Sequence, residues 1–499
     1  MTLFILFIST LLITLPFYFP NLFLLSYFSF IPILFIIKKS NIKDSFLYGW
    51  LFGFIYISIS SYWLFYPLHK FSGLNIIFNI FLLVLLFGFI ALFYGLWSYL
   101  VKSIGIGAVR VALSWTGIEF LRYKLMSAFP IAYLGYTQSS FKPLLQWADI
   151  GGVFLISFFI LLINGYIFKL INNRAKKFLV PILILFLIIG SYGIYKMNVS
   201  YSSKNQENLT VGIIQTNINQ NEKWKTANIE KNINEIFNSA NKLKNVQLYI
   251  TPETSLTFDI IRNEYYRNIV FEKMNEYNSY FQFGAQAIKN DPDFRYNSSL
   301  LFSAEGKMID RYNKNRLVAF GEMIPFNRLV NNLTNKQWHS LAAGDKNNLF
   351  EINGVKWRNL ICSEIFYPLL NNDLKEFDFI VNQSNEAWFE NGLQQQMWSA
   401  AIFRAVESRK TVIKSGNKAI SGVIMPSGKI KEMREVNNVK GIKTKIDLNQ
   451  ENTFYIKNAN YPGYIALSIV LLLYILNLIN KFNKNKNEMG SEIDEQEEI

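Results

Sequence analysis

Cys362 is the only cysteine in this 499-residue chain, so its thiol has no partner for an internal disulfide. It follows an apolar run at 355–361, which is typical of a buried strand, and it precedes the polar pair Ser363 and Glu364. A thiol at the end of a strand is either a small buried side chain or a nucleophile, and it reacts only as the thiolate. The choice depends on whether the chain supplies a base and a cation nearby.

Two further ionisable residues follow predicted strands in the same way. Glu253 follows the apolar run at 246–250, and Lys314 follows the run at 307–312. Loops at strand ends are common positions for reacting groups because a rigid sheet holds them. A carboxylate could accept the thiol proton, and an ammonium could stabilise a thiolate and the oxyanion of a tetrahedral intermediate. The three residues together predict acyl transfer through a thioester. Each also has a simpler structural interpretation: Cys362 could be a buried packing residue, Glu253 could cap a helix, and Lys314 could be a solvated charge in a loop.

Other chemistries have little support in the sequence. The chain has two histidines, so a histidine-based triad would rest on His339 alone, because His69 lies beside a predicted membrane span. Zinc ligands, Walker motifs and dinucleotide-binding motifs are lacking, so we expect no cofactor and no metal. The net charge of +14 could indicate binding to nucleic acid, but the sequence has no nucleic-acid-binding motif. Attraction to anionic lipid headgroups explains the charge better than nucleic-acid binding does.

The chain divides into apolar and polar regions. Hydrophobic residues make up 51% and aromatic residues 16%, which is too apolar for a soluble enzyme of this size. We predict a membrane domain of about seven spans at 1–198, a mixed α/β catalytic domain at 199–458, and a final span with a polar cytoplasmic tail at 459–499. The predicted spans are 2–20, 22–37, 45–66, 74–101, 106–122, 153–171, 178–196 and 463–479.

Lysine and arginine in the connecting loops predict the orientation of these spans. With eight spans, all of the loops that carry basic residues next to a span fall on the same side; they are at positions 38–43, 102, 169–177 and 481–486. Because basic loops mark the cytoplasmic side, residues 199–458 are expected on the opposite, outer face of the membrane.

The segments around the three candidate residues resemble those of a known superfamily. Thr-Pro-Glu253-Thr, Asp-Arg-Tyr-Asn-Lys314 and Ile-Cys362-Ser-Glu are similar to the segments that carry the Glu-Lys-Cys triad of the nitrilase, or carbon-nitrogen hydrolase, superfamily. The runs at 312–325 and 115–122 narrow the resemblance to the apolipoprotein N-acyltransferase family. It covers nearly the whole chain, apart from the tail.

This resemblance implies the fold and the reaction. The fold would be a polytopic α-helical membrane domain of about eight spans joined to an α/β nitrilase-like domain, an α-β-β-α sandwich. The reaction would move a fatty acyl chain from a membrane phospholipid, through a Cys362 thioester, to the N-terminal amine of the diacylglyceryl-cysteine of an apolipoprotein. Glu253 would be the base in both half-reactions, and Lys314 would stabilise the oxyanion.

The resemblance also implies a location and partners. The protein would be a multi-pass protein of the bacterial cytoplasmic (inner) membrane, with its catalytic domain on the periplasmic face. Its partners would be the phospholipid donor, the apolipoprotein acceptor and the lipid bilayer, without nucleic acid. We expect a monomer.

By analogy with this family, five further residues would support the substrates, namely Glu322, Glu364, Trp224, Ser363 and Trp388. The two glutamates would orient the lysine and the incoming amine, and Trp224 would shape the entrance for lipid. Three positions depart from the family pattern. Ser363 stands where an aromatic residue is usual, Ala319 where proline is usual, and Glu390 where glycine is usual.

Two alternatives stay open at this level. A membrane-tethered amidase or nitrilase would use the same triad with water as the acceptor, so only the acceptor separates the two enzymes. A non-enzymatic membrane scaffold or transporter with a degenerate domain would not need the thiol. Full lipoprotein N-acylation by a Cys362→Ala variant would favour this last function.

Overall fold

The computed structural model describes most of the chain. The residues outside the description are 127–128, 202–208, 289–294, 320, 324–339, 346–347, 369–375, 390–391, 437–440 and 498–499, and side chains are described up to residue 484. Two residues considered above, His339 and Glu390, therefore lie outside the described residues. The described chain forms a helical part followed by a two-sheet domain and a last long helix.

Long helices that are apolar on all sides build the helical part, as expected where helices contact lipid or one another. The α-helices are Thr2–Tyr18, Ile31–Lys39, Ile42–Ser60, Phe65–Phe71, Ile76–Ile104, Ala108–Leu125, Lys142–Leu145, Ala148–Asn173 and Leu179–Met197, and the last helix is Tyr461–Glu497. Short 3-10 turns at Pro20–Tyr27, Tyr62–Leu64, Leu134–Gln138 and Lys176–Phe178 connect them. The last helix packs against Ala108–Leu125, which returns the chain end to the helical part.

Among the described residues, five helical segments are long and apolar enough to cross a membrane, or up to six if one bent pair counts as a span. The five are Pro20–Lys39, Ile76–Ile104, Ala148–Asn173, Lys176–Met197 and Tyr461–Lys484. Each of the eight predicted spans overlaps at least one helix, but the number that cross a membrane is approximate. Thr2–Tyr18 has only 17 residues, and Ala108–Leu125 carries Arg110, Glu119 and Arg122.

The predicted span at 45–66 is not one straight helix. The helix stops at Ser60, and the chain bends by 62° into the next short helix. The carbonyl oxygen of Ser60 accepts hydrogen bonds from Trp63 Nε1 at 3.2 Å and from Gln396 Nε2 at 2.8 Å. These donors satisfy a backbone carbonyl at the helix end, so the helix can stop inside the protein.

Within the described part of the chain, twelve strands form two six-stranded sheets. They are β1 (Leu209–Ile213), β2 (Leu248–Ile250), β3 (Tyr280–Ile288), β4 (Arg295–Phe302), β5 (Met308–Asn313), β6 (Leu349–Ile352), β7 (Val355–Ile361), β8 (Phe379–Asn385), β9 (Thr411–Asn417), β10 (Ser421–Ile424), β11 (Ile430–Arg434) and β12 (Ile442–Ile446). The first sheet has the order β12-β1-β2-β3-β4-β5, and the second has the order β11-β10-β9-β8-β7-β6. β1 to β3 are parallel, as are β7 to β9, and the outer pairs are antiparallel.

The two sheets pack face to face and are covered by helices on their outer faces. Ile229–Ala240 and Glu264–Met274 share an apolar cluster with β2 and β3 of the first sheet, and Leu393–Ser408 packs on β9 and β10 of the second. Between the sheets, the Gln282 amide donates to Asn359 Oδ1 at 2.8 Å and accepts from Trp357 Nε1 at 2.9 Å. The α-β-β-α arrangement expected from the resemblance is confirmed.

The helix Leu393–Ser408 also joins the two-sheet domain to the helical part. Its residue Ser399 hydrogen-bonds to Ser139 at 3.0 Å, and Arg409, directly after it, pairs with Asp149 at 2.8 Å. Every residue of this helix from end to end is buried except Gln395. The second sheet is therefore fixed against the helical part through one shared helix.

Candidate active site

The ends of β2, β5 and β7 bring the three predicted residues together. Glu253 lies in the turn after β2, Lys314 directly follows β5, and Cys362 directly follows β7. Lys314 Nζ lies 3.9 Å from Glu253 Oε1. The charges of both groups act on the Cys362 thiol, and all three side chains are buried. A base, a cation and a thiol thus share one buried region at the edge of the sandwich.

Two donors orient the Glu253 carboxylate. Asn297 Nδ2 donates to Oε1 at 2.6 Å, and the backbone N–H of Asn385 donates to Oε2 at 2.7 Å. Hydrogen bonds to a charged carboxylate are among the stronger ones in proteins, and two of them fix the plane of the group. The carboxylate is therefore held in one orientation before any substrate is present.

The backbone turn that carries Glu253 is itself strained and clamped. Thr254 has a φ of +47°, which is costly for a β-branched residue. Lys223 Nζ donates to the carbonyl oxygen of Glu253 at 3.0 Å and to Thr254 Oγ1 at 2.9 Å. On the other side, a side chain at Gly284 would overlap the backbone of Pro252 and Glu253, so only glycine permits this approach.

Lys223 was not predicted as a site residue. It stands in the polar segment before Trp224, where a lysine is typical of a solvated helix, and nothing in the spacing distinguishes it. In the structure it is buried, and burial lowers the pKa of Lys223 to about 7 although the charges of Glu253 and Cys362 oppose that change. The site therefore contains a second lysine, whose charge depends on pH near neutrality.

Glu322 contacts the ammonium of Lys314. Its two carboxylate oxygens lie 2.9 Å and 2.7 Å from Lys314 Nζ. Burial by itself would lower the pKa of Lys314, but the negative charges of Glu322 and Glu253 outweigh burial and raise it. Lys314 is therefore a stable ammonium. Asn297 Nδ2 also donates to Glu322 Oε1 at 2.9 Å and so links the two carboxylates.

Cys362 adopts a strained backbone conformation at the start of the 3-10 turn Cys362–Phe366. Its φ is +52°, in the left-handed region that non-glycine residues adopt at a cost of roughly 1–2 kcal/mol. Asn382 Nδ2 donates to the Cys362 carbonyl at 3.3 Å, and Glu364 Oε2 accepts from the backbone N–H of Ile361 at 2.8 Å. Strain of this kind persists only where the surroundings impose it, and it commonly marks a functional position.

The electrostatics of the thiol differ from the simplest expectation. A nearby ammonium was expected to favour the thiolate. Burial raises the pKa of Cys362 well above its ordinary value, the negative charge of Glu253 raises it further, and Lys314 opposes these effects without reversing them. The resting sulfur is therefore a thiol, with a carboxylate available to accept its proton.

Glu364 contacts backbone donors rather than the lysine ammonium. Its Oε1 accepts from the N–H groups of Asn315 at 2.8 Å and Arg316 at 3.1 Å, and the Tyr312 hydroxyl donates to Oε2 at 3.0 Å. Together with its bond to Ile361, these contacts tie the segment after Lys314 to the turn after β7. Burial raises the pKa of Glu364, while the backbone donors favour the charged form.

The remaining predicted residues occupy different surroundings. Ser363 Oγ is buried and has no hydrogen-bond partner among the described residues. Trp388 makes an edge contact with Phe71, with ring centroids 4.7 Å apart, so it lies where the second sheet meets the helical part. Trp224 is exposed at the end of the short helix Gln220–Lys223.

A second buried lysine–carboxylate pair lies next to the site. Lys414 on β9 contacts Glu386, which directly follows β8, and the charge of Glu386 contributes to the raised pKa of the Cys362 thiol. In the described part of the chain, no cluster of three or more histidine, cysteine, aspartate and glutamate side chains is arranged to hold a metal ion.

Comparison with known proteins gives matches across most of the chain. Residues 9–166 match the family model described as apolipoprotein N-acyltransferase N-terminal domain, and residues 210–449 match the model described as carbon-nitrogen hydrolase. Together these matches cover about four fifths of the chain.

Several relatives match over most of their own length. Proteins called apolipoprotein N-acyltransferase from Geobacter metallireducens and Pasteurella multocida are 28% and 27% identical, and each alignment covers 90% of both chains. A protein of the same name from Wigglesworthia glossinidia brevipalpis is 27% identical over 78% of this chain and 81% of its own.

Proposed function

This chain belongs to the apolipoprotein N-acyltransferase family, and from that membership and the geometry of the site we propose a complete reaction for it. The enzyme transfers a fatty acyl chain from a membrane phospholipid to the N-terminal amine of the diacylglyceryl-cysteine of an apolipoprotein. The acyl chain is carried as a thioester on Cys362. Glu253 moves the protons, and Lys314 stabilises the oxyanion.

In the first half-reaction, the sulfur of Cys362 attacks the ester carbonyl of the phospholipid. Glu253 accepts the thiol proton as the S–C bond forms, since the raised thiol pKa keeps the resting sulfur protonated. Lys314 Nζ donates a hydrogen bond to the carbonyl oxygen as its charge develops. The C–O bond to the glycerol then breaks, and Glu253 returns the proton to the leaving oxygen, which releases a lysophospholipid.

In the second half-reaction, the neutral amine of the acceptor attacks the thioester carbonyl. Glu253 takes a proton from the attacking nitrogen, and Lys314 again stabilises the oxyanion. The C–S bond breaks, and the proton passes from Glu253 to the sulfur. The products are an amide on the acceptor and the original thiol, so the cycle is complete.

The observation that carries this proposal is the fixed arrangement of Glu253 beside Lys314. Two hydrogen bonds orient the carboxylate, and the ammonium lies 3.9 Å from it without being hydrogen-bonded to it. Each group is therefore held in place while remaining available to a substrate. The match of residues 9–166 to the N-terminal domain of apolipoprotein N-acyltransferase favours transfer to an amine over hydrolysis by water.

We propose the location and the domain limits on the same basis. The protein is a membrane protein with several apolar helices. We place it in the bacterial cytoplasmic membrane, with a membrane domain at 1–198, a catalytic domain at 199–458 on the outer face, and a final helix and cytoplasmic tail at 459–499. The basic loops support this orientation. We propose that it acts as a monomer on phospholipid and apolipoprotein.

Mass spectrometry of lipoprotein N-termini after depletion of the protein tests the reaction. Depletion is expected to leave diacylated lipoproteins with a free amine, and wild-type protein is expected to restore the N-acyl group. Cys362→Ser and Glu253→Gln are expected not to restore it, whereas Glu351→Gln, at an exposed carboxylate on β6, is the matched control that restores it. Unchanged triacylated termini after depletion would defeat the proposal.

A further inference from the structure

A large open groove lies between the helical part and the two-sheet domain, outside the three catalytic turns. Its volume is about 1950 Å³. We call it the interdomain groove, and it is defined by Asn21 and Lys70 from the helical part, Gln220 and Met433 from the two-sheet domain, and Trp398 and Ile402 of the shared helix.

The size and lining of the interdomain groove fit a polymer better than a small molecule or a fatty chain. Small-molecule pockets are usually about 300–1,000 Å³, well below this volume. Amide and hydroxyl side chains, including Asn21, Ser140, Asn219, Asn221 and Gln395, line the groove together with an apolar surface of similar extent. A fatty chain would leave those polar groups without partners, whereas the backbone of a polypeptide can pair with them.

The interdomain groove is connected to the reacting carboxylate through two hydrogen bonds. Gln220, in its wall, accepts through Oε1 from Asn385 Nδ2 at 2.9 Å, and the N–H of Asn385 donates to Glu253 at 2.7 Å. Gln220 is 5% exposed, and its Nε2 has no partner among the described residues. The wall of the groove at Gln220 is therefore coupled to the orientation of the Glu253 carboxylate through Asn385.

Resting on the proposed function, we propose that the interdomain groove binds the polypeptide segment of the acceptor that follows its modified cysteine. The amine of the acceptor must reach Cys362 while its lipid stays in the membrane, so the polypeptide has to leave the site over the protein surface. The groove provides that route from Gln220, next to the site, to Met433 on the edge strand β11.

Two matched substitutions test this route. Met433 on β11 is 37% exposed and lines the groove, and Met308 on β5, the edge strand of the other sheet, is 41% exposed and lies away from it. The KM values of Met433→Glu and Met308→Glu are measured for two acceptors. One is a lipidated cysteine without further residues, and the other carries about ten more, which extend up to ~33 Å.

The expected result is a selective loss in one variant. In Met433→Glu, the ratio of the KM for the long acceptor to the KM for the short one rises about tenfold, which is the loss of one good contact. In Met308→Glu the ratio stays at the wild-type value. An unchanged ratio in Met433→Glu, or the same rise in both variants, would overturn the proposal.

Formation of the acyl-enzyme from phospholipid alone is measured in the same samples. Slower acyl-enzyme formation in Met433→Glu would mean that the groove holds lipid, and the proposal would be overturned in favour of that occupant. Failure of the wild-type protein to form an acyl-enzyme at all would overturn the proposed function, and the polypeptide route with it. The two failures are therefore distinguished by whether the wild type becomes acylated.

Discussion

Lys414 and Lys314 are both buried close to the same reaction centre, but their surroundings differ. Lys414 on β9 contacts Glu386 and also donates to Ser384 Oγ at 3.0 Å and to the carbonyl of Ile420 at 3.1 Å. An ammonium has three N–H donors, and each of these has an acceptor. Lys414 thus holds β8 to β9 and has no donor left for a substrate.

Lys314 is just as buried but is not saturated. Among the described residues, its contacts below 3 Å are both to one carboxylate, that of Glu322, and Glu253 Oε1 at 3.9 Å is beyond hydrogen-bond range. The Lys314 ammonium therefore has an N–H group that is free to donate on the side of Glu253, the carboxylate proposed to act as the base. The difference teaches that unused donor capacity, rather than burial or charge, distinguishes the lysine proposed to react from the structural one.

Substitution of Cys362 or Glu253 is expected to have the largest effect on activity. Cys362→Ala should abolish acyl-enzyme formation, because no other thiol is present in the chain. Glu253→Gln should lower the rate of acyl-enzyme formation by about 10²–10⁴-fold, the usual contribution of a positioned base. Single-turnover acylation with labelled phospholipid measures both. Retained acyl transfer in either variant would contradict the assignment of the three turns as the site.

Replacing Lys314 or Lys414 with methionine tests whether the two lysines differ in function. Lys314→Met should lower kcat by about 10²–10³-fold, because oxyanion stabilisation is lost. Lys414→Met should instead lower the free energy of unfolding by about 3–5 kcal/mol, because the Glu386 carboxylate is left buried without its partner. Thermal unfolding in detergent and kcat per folded molecule separate these effects. Equal losses of kcat in the two variants would show that the two lysines do not differ in function.

The reactivity of the thiol should respond in opposite directions to the two neighbouring charges. Glu253 raises the pKa of Cys362 and Lys314 lowers it. Glu253→Gln should therefore lower this pKa, increase the thiolate fraction at pH 8 and speed alkylation severalfold, even though acyl transfer is lost. Lys314→Met should raise the pKa and slow alkylation. The alkylation rate with iodoacetamide is measured against pH, with a small free thiol as the control. Changes in the same direction would contradict the electrostatic account.

The smallest expected effect comes from a hydroxyl that supports the turns. Tyr312→Phe should lower the free energy of unfolding by about 1 kcal/mol, because Glu364 loses one of several donors. Tyr265→Phe is the matched control, since its hydroxyl also donates to a glutamate but lies at an exposed position. Chemical unfolding of both variants measures the difference. A large loss of kcat in Tyr312→Phe with unchanged stability would show that this hydroxyl acts in the reaction.

The sequence predicted the strand ends well because each combines an apolar run with an abrupt polar boundary. The runs before Glu253, Lys314 and Cys362 form strands that end within two residues of the predicted positions. The period and composition of a run are local properties, so they can be read without the fold. The resemblance then supplied Glu322 and Glu364, which the structure places against Lys314 and against the two turns, respectively.

Contacts between distant segments could not be predicted in this way. Lys223 clamps the Glu253 turn from 30 residues away, and the helix that ends at Ser60 is capped by Gln396, 336 residues further along the chain. Asn297 offered one usable signal. Ser298 pairs with Asn313 in the antiparallel ladder of β4 and β5. Asn297, one residue before Ser298, therefore lies beside Lys314, one residue after Asn313. The register that makes this visible depends on the sheet, which the sequence specifies only indirectly.

The shared helix Leu393–Ser408 has a consequence for any attempt to study the two-sheet domain by itself. A gene fragment that encodes only the two sheets would expose to water the flank of this helix that now contacts the apolar helices. It would also leave Arg409 without Asp149. Such a fragment should aggregate, so a water-soluble catalyst cannot be made by simple truncation. A free-standing enzyme with the same sandwich would need a redesigned, charged outer surface at this helix.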